Sequence, residues 1–241
     1  MKQEATIQTR KKPQTQINLR EVLLVCGILA PLLFVGTDIL AGTLYPGYNF
    51  ISRSISELSA IGAPTRPLVL TLNLTADVLM IAFGVVVWLL AGPKRSLRIM
   101  AGLIVGNAVV SLVASVFFPM HLGEAASASS NIMGVILGAV SVVFFLLAIG
   151  FGAAAYRNWF RFYSIGILLA FLVLAILRLS GALGVPAGQS VSLVGVQERT
   201  MVYNYLLWVL VLAITLLQTK EGQEATPVAL PDRGSEERAA S

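Results

Sequence analysis

Long apolar runs alternate with short polar segments along most of the chain. Six runs are long enough to cross a bilayer, which takes about 20 mostly apolar residues per helix. They cover residues 22–44, 67–91, 97–118, 131–155, 161–183 and 201–218. Several end at residues that stop helices, such as Pro46-Gly47 and Gly92-Pro93. The pattern predicts an all-α integral membrane protein, a bundle of six transmembrane helices.

Lysine and arginine residues concentrate on one side of the predicted membrane. Of 17 such residues, thirteen lie in the two tails or beside the loops that follow the second and fourth spans. Three, Arg53, Arg66 and Arg199, lie on the other side, and Arg178 lies within the fifth span. Because cytoplasmic loops carry the excess of positive residues, we expect both termini in the cytoplasm. The expected location is the cell inner (plasma) membrane.

Composition supports the bilayer as solvent. The 241 residues are 56% hydrophobic and 12% charged, against about 25% charged in soluble domains. The net charge of +5 comes from short clusters, with no basic stripe among aromatic residues, so membrane lipids and no nucleic acid are the expected partners. The tails, 1–20 and 219–241, lack apolar periodicity and are predicted to be disordered. Residues 21–218 form the predicted transmembrane domain.

The first outer loop, residues 45–65, is unusually rich in polar and turn-forming residues. Ser54 and Glu57 fit the capping-box pattern S-x-x-E. Apolar residues then recur at helical spacing: Ile51, Ile55, Leu58 and Ile61. The pattern predicts a short amphipathic helix on the outer membrane surface, with Tyr45 and Tyr48 at headgroup depth. Alternatively, the loop is a lid that points Glu57 into a polar cavity, towards Arg199 or Arg178.

Ionisable residues inside the predicted spans are costly, so they usually face the protein interior. Asp38 and Arg178 lie about 9 Å from the outer end of their spans, and Asp77 lies about 15 Å deep, at 1.5 Å per residue. Asn73 is one turn from Asp77, and Asn107 reaches a similar depth in the third span. Two interpretations stay open. The residues form interhelical pairs, Asp38 with Arg178 and Asp77 with Asn107, or they line a site in the outer half of the bundle.

Candidate site residues follow from this convergence. The predicted ligand-binding residues are Tyr45, Tyr48, Ser56, Glu57, Asp77, His121, Arg178, Glu198 and Arg199. The candidates for acid–base chemistry are Glu57, His121 and Asp38, but the chain has no G-x-S-x-G nucleophile motif. With one histidine and one cysteine, and no metal-ligand spacing, we predict no metal and no cofactor.

Three motifs together resemble a known family. They are "YPGYNFISRSISELSAIGAPTRP" after the first span, "FPMH" after the third and "GVQERTMVYNYLLW" entering the sixth. They resemble the prokaryotic membrane family catalogued as domain of unknown function 998, over roughly residues 21–218. The resemblance implies six membrane helices and no settled activity. The motif positions here are Tyr45, Pro46, Gly47, Ser56, Glu57, Leu58, Pro119, His121, Glu198 and Arg199. Where the family pattern has a second histidine, this chain has Met133-Gly134.

Three functions remain open at this stage. The leading hypothesis is a protein that binds a lipid headgroup or small amphiphile in an outward-facing polar cavity. The first alternative is an intramembrane lipid-modifying enzyme of hydrolase type, using Glu57, Asp38 or His121. The second is a proton-coupled transporter with Asp77 as the proton carrier. The sequence does not decide whether the protein is an enzyme.

Overall fold

The chain folds into a bundle of α-helices. The computed structural model describes residues 19–122, 128–157, 159–179 and 193–224, without the side chains of 128–131, 135, 175–179 and 219–224. The helices are α1 (Leu19–Leu44), α2 (Arg66–Leu90), α3 (Arg95–Phe117), α4 (Ala128–Ala155), α5 (Trp159–Leu179) and α6 (Val194–Glu224). A single 3₁₀ turn, Ile55–Ser59, lies between α1 and α2. The all-helical prediction is confirmed for the part of the chain described.

Five of these helices are long and apolar enough to cross a membrane. They are α1, α2, α3, the Ile132–Ala155 part of α4 and the Val194–Gln218 part of α6. In α5, the shorter segment Trp159–Leu174 is apolar. The predicted fifth span, 161–183, therefore continues past the residues that the structure describes. Most of the two predicted tails also lies outside them.

Consecutive helices pack side by side from α1 to α5, and α6 returns to pack against α1. Buried aromatic side chains fill the centre of the bundle, among them Trp208, Phe83 and Phe160. The Trp208 indole donates a hydrogen bond of 2.9 Å to the Ser164 hydroxyl, which satisfies the one polar group of that side chain. Gly152 leaves room for the Trp208 ring, since a Cβ there would lie 2.5 Å from it.

Helix α6 begins earlier than predicted. Its first residue is Val194, whereas the apolar pattern placed the start of the span at residue 201. The extra turns carry Glu198 and Arg199, two charged residues that a hydropathy pattern assigns to a loop. They are compatible with a helix packed against α1 because both have partners there or in the first loop.

The first loop also differs from the predicted amphipathic surface helix. The helical part is limited to the 3₁₀ turn. Ile55 and Leu58 are buried, but Ile51 and Ile61 are 48% and 40% exposed. Leu58 packs with Ala41 and Val69, at the ends of α1 and α2. The turn therefore buries its apolar side chains against the helix bundle, and Ile61, two residues beyond it, pairs with the segment after α3.

Candidate functional site

The first loop is fastened to α6 by the guanidinium of Arg199. Its Nε and Nη2 donate to the two carboxylate oxygens of Asp38 in α1, at 2.9 and 3.0 Å. Its Nη1 donates to the carbonyl oxygens of Phe50 and Arg53, at 2.9 and 3.0 Å. Asp38 and Arg199 are both buried. A fork of five N–H donors suits this geometry, and a lysine could not reproduce it.

Two tyrosines complete this arrangement, which we call the Arg199 cluster: Asp38, Tyr48, Arg199 and Tyr203. Nη2 of Arg199 donates to the Tyr48 hydroxyl at 2.6 Å, and that hydroxyl donates to the Ser54 carbonyl at 2.7 Å. Burial raises the pKa of Tyr48 above its ordinary value, so the phenol keeps the proton that it donates. The Tyr203 hydroxyl donates to Asp38.

Hydrogen bonds to its backbone hold the first loop on both sides. Glu198 accepts a hydrogen bond from the Ile55 amide at 2.9 Å. On the other side, the Ile61 amide donates to the Met120 carbonyl at 2.7 Å, and the Leu122 amide donates to Ile61 at 3.2 Å. The segment after α3 thereby joins the loop, and His121 forms an isolated bridge with Ile61. The loop is thus tied both to α6 and to the end of α3.

The lid hypothesis expected Glu57 to face Arg199 or Arg178. Among the described residues Glu57 forms its ion pair with Arg53 and not with Arg199, and the side chain of Arg178 lies outside the described residues. The Glu57 carboxylate accepts a hydrogen bond from the Ser54 amide at 3.2 Å, which confirms this half of the predicted capping box. It also lies 3.8 Å from Arg53, whose side chain is 40% exposed. An exposed pair of this kind contributes about 0–1 kcal/mol. The contacts of Glu57 are therefore those of a cap within the loop.

A cavity of about 530 Å³ lies beneath the first loop. Its walls come from α1, α2, α3, α4 and α6, with apolar side chains such as Phe34, Met80 and Phe145. Ser54, Ser56 and Ser59 of the first loop line it as well, together with Glu198. A cavity of this size with apolar walls and a few polar groups is typical of a small-molecule site.

Deeper polar groups lie on α2 and α3. Asp77 and Asn107 line the cavity and are 9% and 8% exposed. Asp77 is hydrogen-bonded to Ser111, not to Asn107 as one interpretation of the sequence had it. Oδ2 of Asp77 and Oδ1 of Asn107 have no hydrogen-bond partner in the part of the chain described. The hydroxyl of Tyr205, another lining residue, has no described partner either. Most buried polar groups are paired, so three such atoms in one cavity need an explanation.

The predicted site residues divide into two groups. Ser56, Asp77 and Glu198 line the cavity. The others with described side chains lie in or beside the first loop and do not line it: Asp38, Tyr45, Tyr48, Glu57, His121 and Arg199. The side chain of Arg178, the partner expected for Asp38, lies outside the described residues, and Asp38 pairs with Arg199 instead.

The candidate acid–base residue Asp38 is fully engaged in hydrogen bonds. Both oxygens of Asp38 already accept hydrogen bonds from Arg199, and Tyr203 donates to one of them. Such a carboxylate is held as a structural acceptor. Among the described residues, no three His, Cys, Asp or Glu side chains are grouped so that they could hold a metal ion.

The sequence interpretation missed the cavity-lining serines Ser111, Ser115 and Ser141. The sequence contained a periodic signal for Ser111 and Ser115. Asn107, Ser111 and Ser115 follow one another at intervals of four residues, which places them on one face of α3. A polar stripe of this kind in an apolar helix points to the protein interior, because hydroxyl and amide groups are poorly accommodated by lipid.

These features define a multi-helix protein of membrane type, with a buried ion pair under its first loop and a part-polar cavity between its helices. The chain belongs to the family described as protein of unknown function (DUF998), whose family model matches residues 28–215. The resemblance of the three motifs to that family is therefore confirmed. No curated protein and no solved structure matches the chain.

Proposed function

We propose that this protein crosses the plasma membrane six times, with both termini in the cytoplasm. We further propose that it binds a small amphiphile or a lipid headgroup in its cavity. The distribution of Lys and Arg supports the orientation. The apolar segment of α5 supports counting that helix as a span in addition to the five long ones. In this orientation the first loop and the mouth of the cavity face outward. The ligand would enter from the outer leaflet.

The observation that carries the proposal is the combination of apolar walls with unpartnered buried oxygens. Oδ2 of Asp77 and Oδ1 of Asn107 lack partners among the described residues, while the surrounding side chains are mainly apolar. An amphiphile matches both features, because its chain contacts the walls and its polar group supplies the missing hydrogen bonds. Leaving such groups unpaired costs about 1–3 kcal/mol each, so a ligand that pairs them gains affinity.

The first loop acts in this proposal as a fixed roof. Ser54, Ser56 and Ser59 line the cavity, and the Arg199 cluster fixes the backbone that carries them. Arg199 binds carbonyl oxygens at both Phe50 and Arg53, so this buried side chain contributes two of the hydrogen bonds that hold the roof, beside those of Glu198 and of the segment after α3. We propose that the cluster keeps the cavity closed to the outer solution without contacting the ligand.

A cavity-filling substitution tests the proposal. Gly138 lines the cavity, and no described atom lies within 4 Å of a Cβ placed there. Gly138→Leu should therefore fold, occupy part of the cavity and reduce the amphiphile that co-purifies, measured by native mass spectrometry after mild extraction. Gly150→Leu is the matched control: the glycine is in the same helix, has the same open surroundings and is not a lining residue.

Both substitutions replace a helical glycine and should preserve or raise helix stability. Loss of bound amphiphile in Gly138→Leu alone supports the proposal. Equal amounts bound to the wild type and to both variants would show that the co-purified molecules lie on the lipid-facing surface, and the proposed function would be wrong.

A further inference from the structure

The charges that line the cavity are all of one sign in the described part of the chain. Two lining residues are acidic, Asp77 and Glu198, and no Lys, Arg or His is among the described lining residues. Arg199 is close in sequence but its guanidinium is directed at Asp38, Tyr48 and the loop carbonyls. A ligand with a phosphate or carboxylate group would therefore meet acidic groups without a compensating cation.

The two carboxyl groups differ in the bonds that they already make. Oε2 of Glu198 accepts from the Ile55 amide, so this residue is engaged in holding the first loop. Oδ2 of Asp77 has no described partner, and neither does Oδ1 of Asn107. Both are lone-pair acceptors at more than nine-tenths burial. Among the described lining residues the hydrogen-bond donors are neutral hydroxyl and amide groups, and none carries a positive charge that could balance Asp77.

We propose that the ligand is an amphiphile with a protonated amine as its head, held by Asp77 and Asn107. This inference rests on the proposed function and specifies its ligand class. The ammonium group carries three donors and one positive charge, so it can bond to both unpartnered oxygens and balance the carboxylate. The chain of the ligand lies along the apolar walls, where Phe34, Met80 and Phe145 are lining residues.

An alcohol head and an acid head are the informative comparisons. An alcohol supplies a single donor and no charge. A carboxylate supplies neither a donor nor a positive charge, and it would be placed beside Asp77 in a low-dielectric cavity. The three probes dodecylamine, dodecanol and dodecanoate share one chain length, so differences in their binding report on the head alone.

Binding is measured with the full-length protein in phosphatidylcholine nanodiscs. Radiolabelled dodecylamine is the tracer, and unlabelled dodecylamine, dodecanol and dodecanoate are the competitors. The dodecylamine that partitions into lipid is measured with empty nanodiscs and with nanodiscs that hold the Gly138→Leu variant. These background values are subtracted from the total bound dodecylamine. We expect dodecylamine to compete at least about tenfold better than either of the other probes, which is the effect of one charge-assisted hydrogen bond.

Asp77→Asn tests the assigned residue. The amide keeps the size of the side chain and an acceptor oxygen but removes the charge, so dodecylamine should bind about tenfold more weakly while dodecanol changes little. Ser111→Ala is a second variant, which removes the hydroxyl bonded to Asp77 and leaves the carboxyl in place; dodecylamine should still be preferred. Asn73→Leu is the control, because Asn73 also has a buried oxygen without a partner in the described part of the chain but does not line the cavity.

Each outcome has a distinct meaning. If dodecanol or dodecanoate competes as well as dodecylamine, and Gly138→Leu abolishes that binding, the amine assignment is wrong and the proposed function stands. The amine assignment is also wrong if Asp77→Asn binds dodecylamine like the wild type. If no probe binds above the level of Gly138→Leu, both the assignment and the proposed function fail.

Discussion

Arg199 of α6 holds Asp38 of α1 through two parallel hydrogen bonds, Nε to Oδ2 at 2.9 Å and Nη2 to Oδ1 at 3.0 Å. The two residues are far apart in sequence, and both side chains are almost completely removed from solvent. The remaining donors of Arg199 bind Tyr48 and the first loop. One buried ion pair thus joins the first helix, the first loop and the last helix.

Arg199→Gln should destabilise the protein strongly. It leaves the Asp38 carboxylate buried without its counter-ion, which costs about 3–5 kcal/mol. The measurement is thermal unfolding in detergent. The control is Arg53→Gln, which breaks a partly exposed pair with Glu57 and should cost no more than about 1 kcal/mol. Equal effects of the two substitutions would contradict the structural role of Arg199.

The double variant Asp38→Asn/Arg199→Gln tests the pairing itself. Once the arginine is gone, neutralising Asp38 relieves an unpaired buried charge, so the double variant should be more stable than additive single losses imply. The same thermal unfolding experiment provides the values. Additive losses would show that Asp38 and Arg199 are not energetically coupled.

Tyr48→Phe should weaken the attachment of the first loop. The hydroxyl accepts from Arg199 and donates to the Ser54 carbonyl, and loss of such partners costs about 1–3 kcal/mol. Tyr45→Phe is the matched control. Tyr45 stacks on Tyr48 and lies under Arg53, and a phenyl ring keeps both contacts, so its effect should stay within about 0.5 kcal/mol. Chemical unfolding of both variants in mixed micelles compares them directly.

Gly195→Ala should loosen the first loop without any change of charge. A Cβ at this position would overlap the carbonyl oxygens of Phe50 and Arg53, and would lie 2.9 Å from Nη1 of Arg199. Trypsin should then cleave after Arg53 faster than in the wild type. Gly36→Ala is the control, because no described atom is within 4 Å of its Cβ. Unchanged cleavage in Gly195→Ala would show that close packing against α6 does not hold the loop.

The orientation can be tested with single cysteines in a Cys26→Ala background. Ser52→Cys, in the first loop, should react with an impermeant thiol reagent in intact cells. Ser96→Cys, at the start of α3, should react only after the membrane is made permeable. The opposite labelling would place the first loop and the mouth of the cavity in the cytoplasm, and the proposed outward entry would be wrong.

The helices could be predicted from the sequence because the signals are local. The length of an apolar run indicates whether it can span a membrane. The helix-stopping pairs Pro46-Gly47 and Gly92-Pro93 lie just beyond the observed ends of α1 and α2. The start of α6 could not be predicted in this way. Glu198 and Arg199 look like loop residues until their partners are known, and one of those partners, Asp38, lies in another helix.

The candidate site was predictable in part for a related reason. Position along a helix gives the depth of a residue, so Asp77 and Asn107 could be placed at one level. Depth does not reveal which helices are neighbours. The sequence therefore suggested Arg178 as the partner of Asp38, whereas the observed partner is Arg199 of α6. The capping interaction of Glu57 with Ser54 was predictable because it spans only three residues.

Photoaffinity labelling tests the central claim, that an amphiphile occupies the cavity beneath the first loop. A dodecylamine analogue with a diazirine in its chain is irradiated with the full-length protein in nanodiscs, and adducts are mapped by mass spectrometry. We expect adducts on cavity residues such as Met80, Phe145 and Met201, and we expect excess dodecylamine to suppress them. Adducts confined to lipid-facing residues such as Leu147 and Leu169, which are 46% and 56% exposed, and unaffected by the competitor, would contradict the central claim.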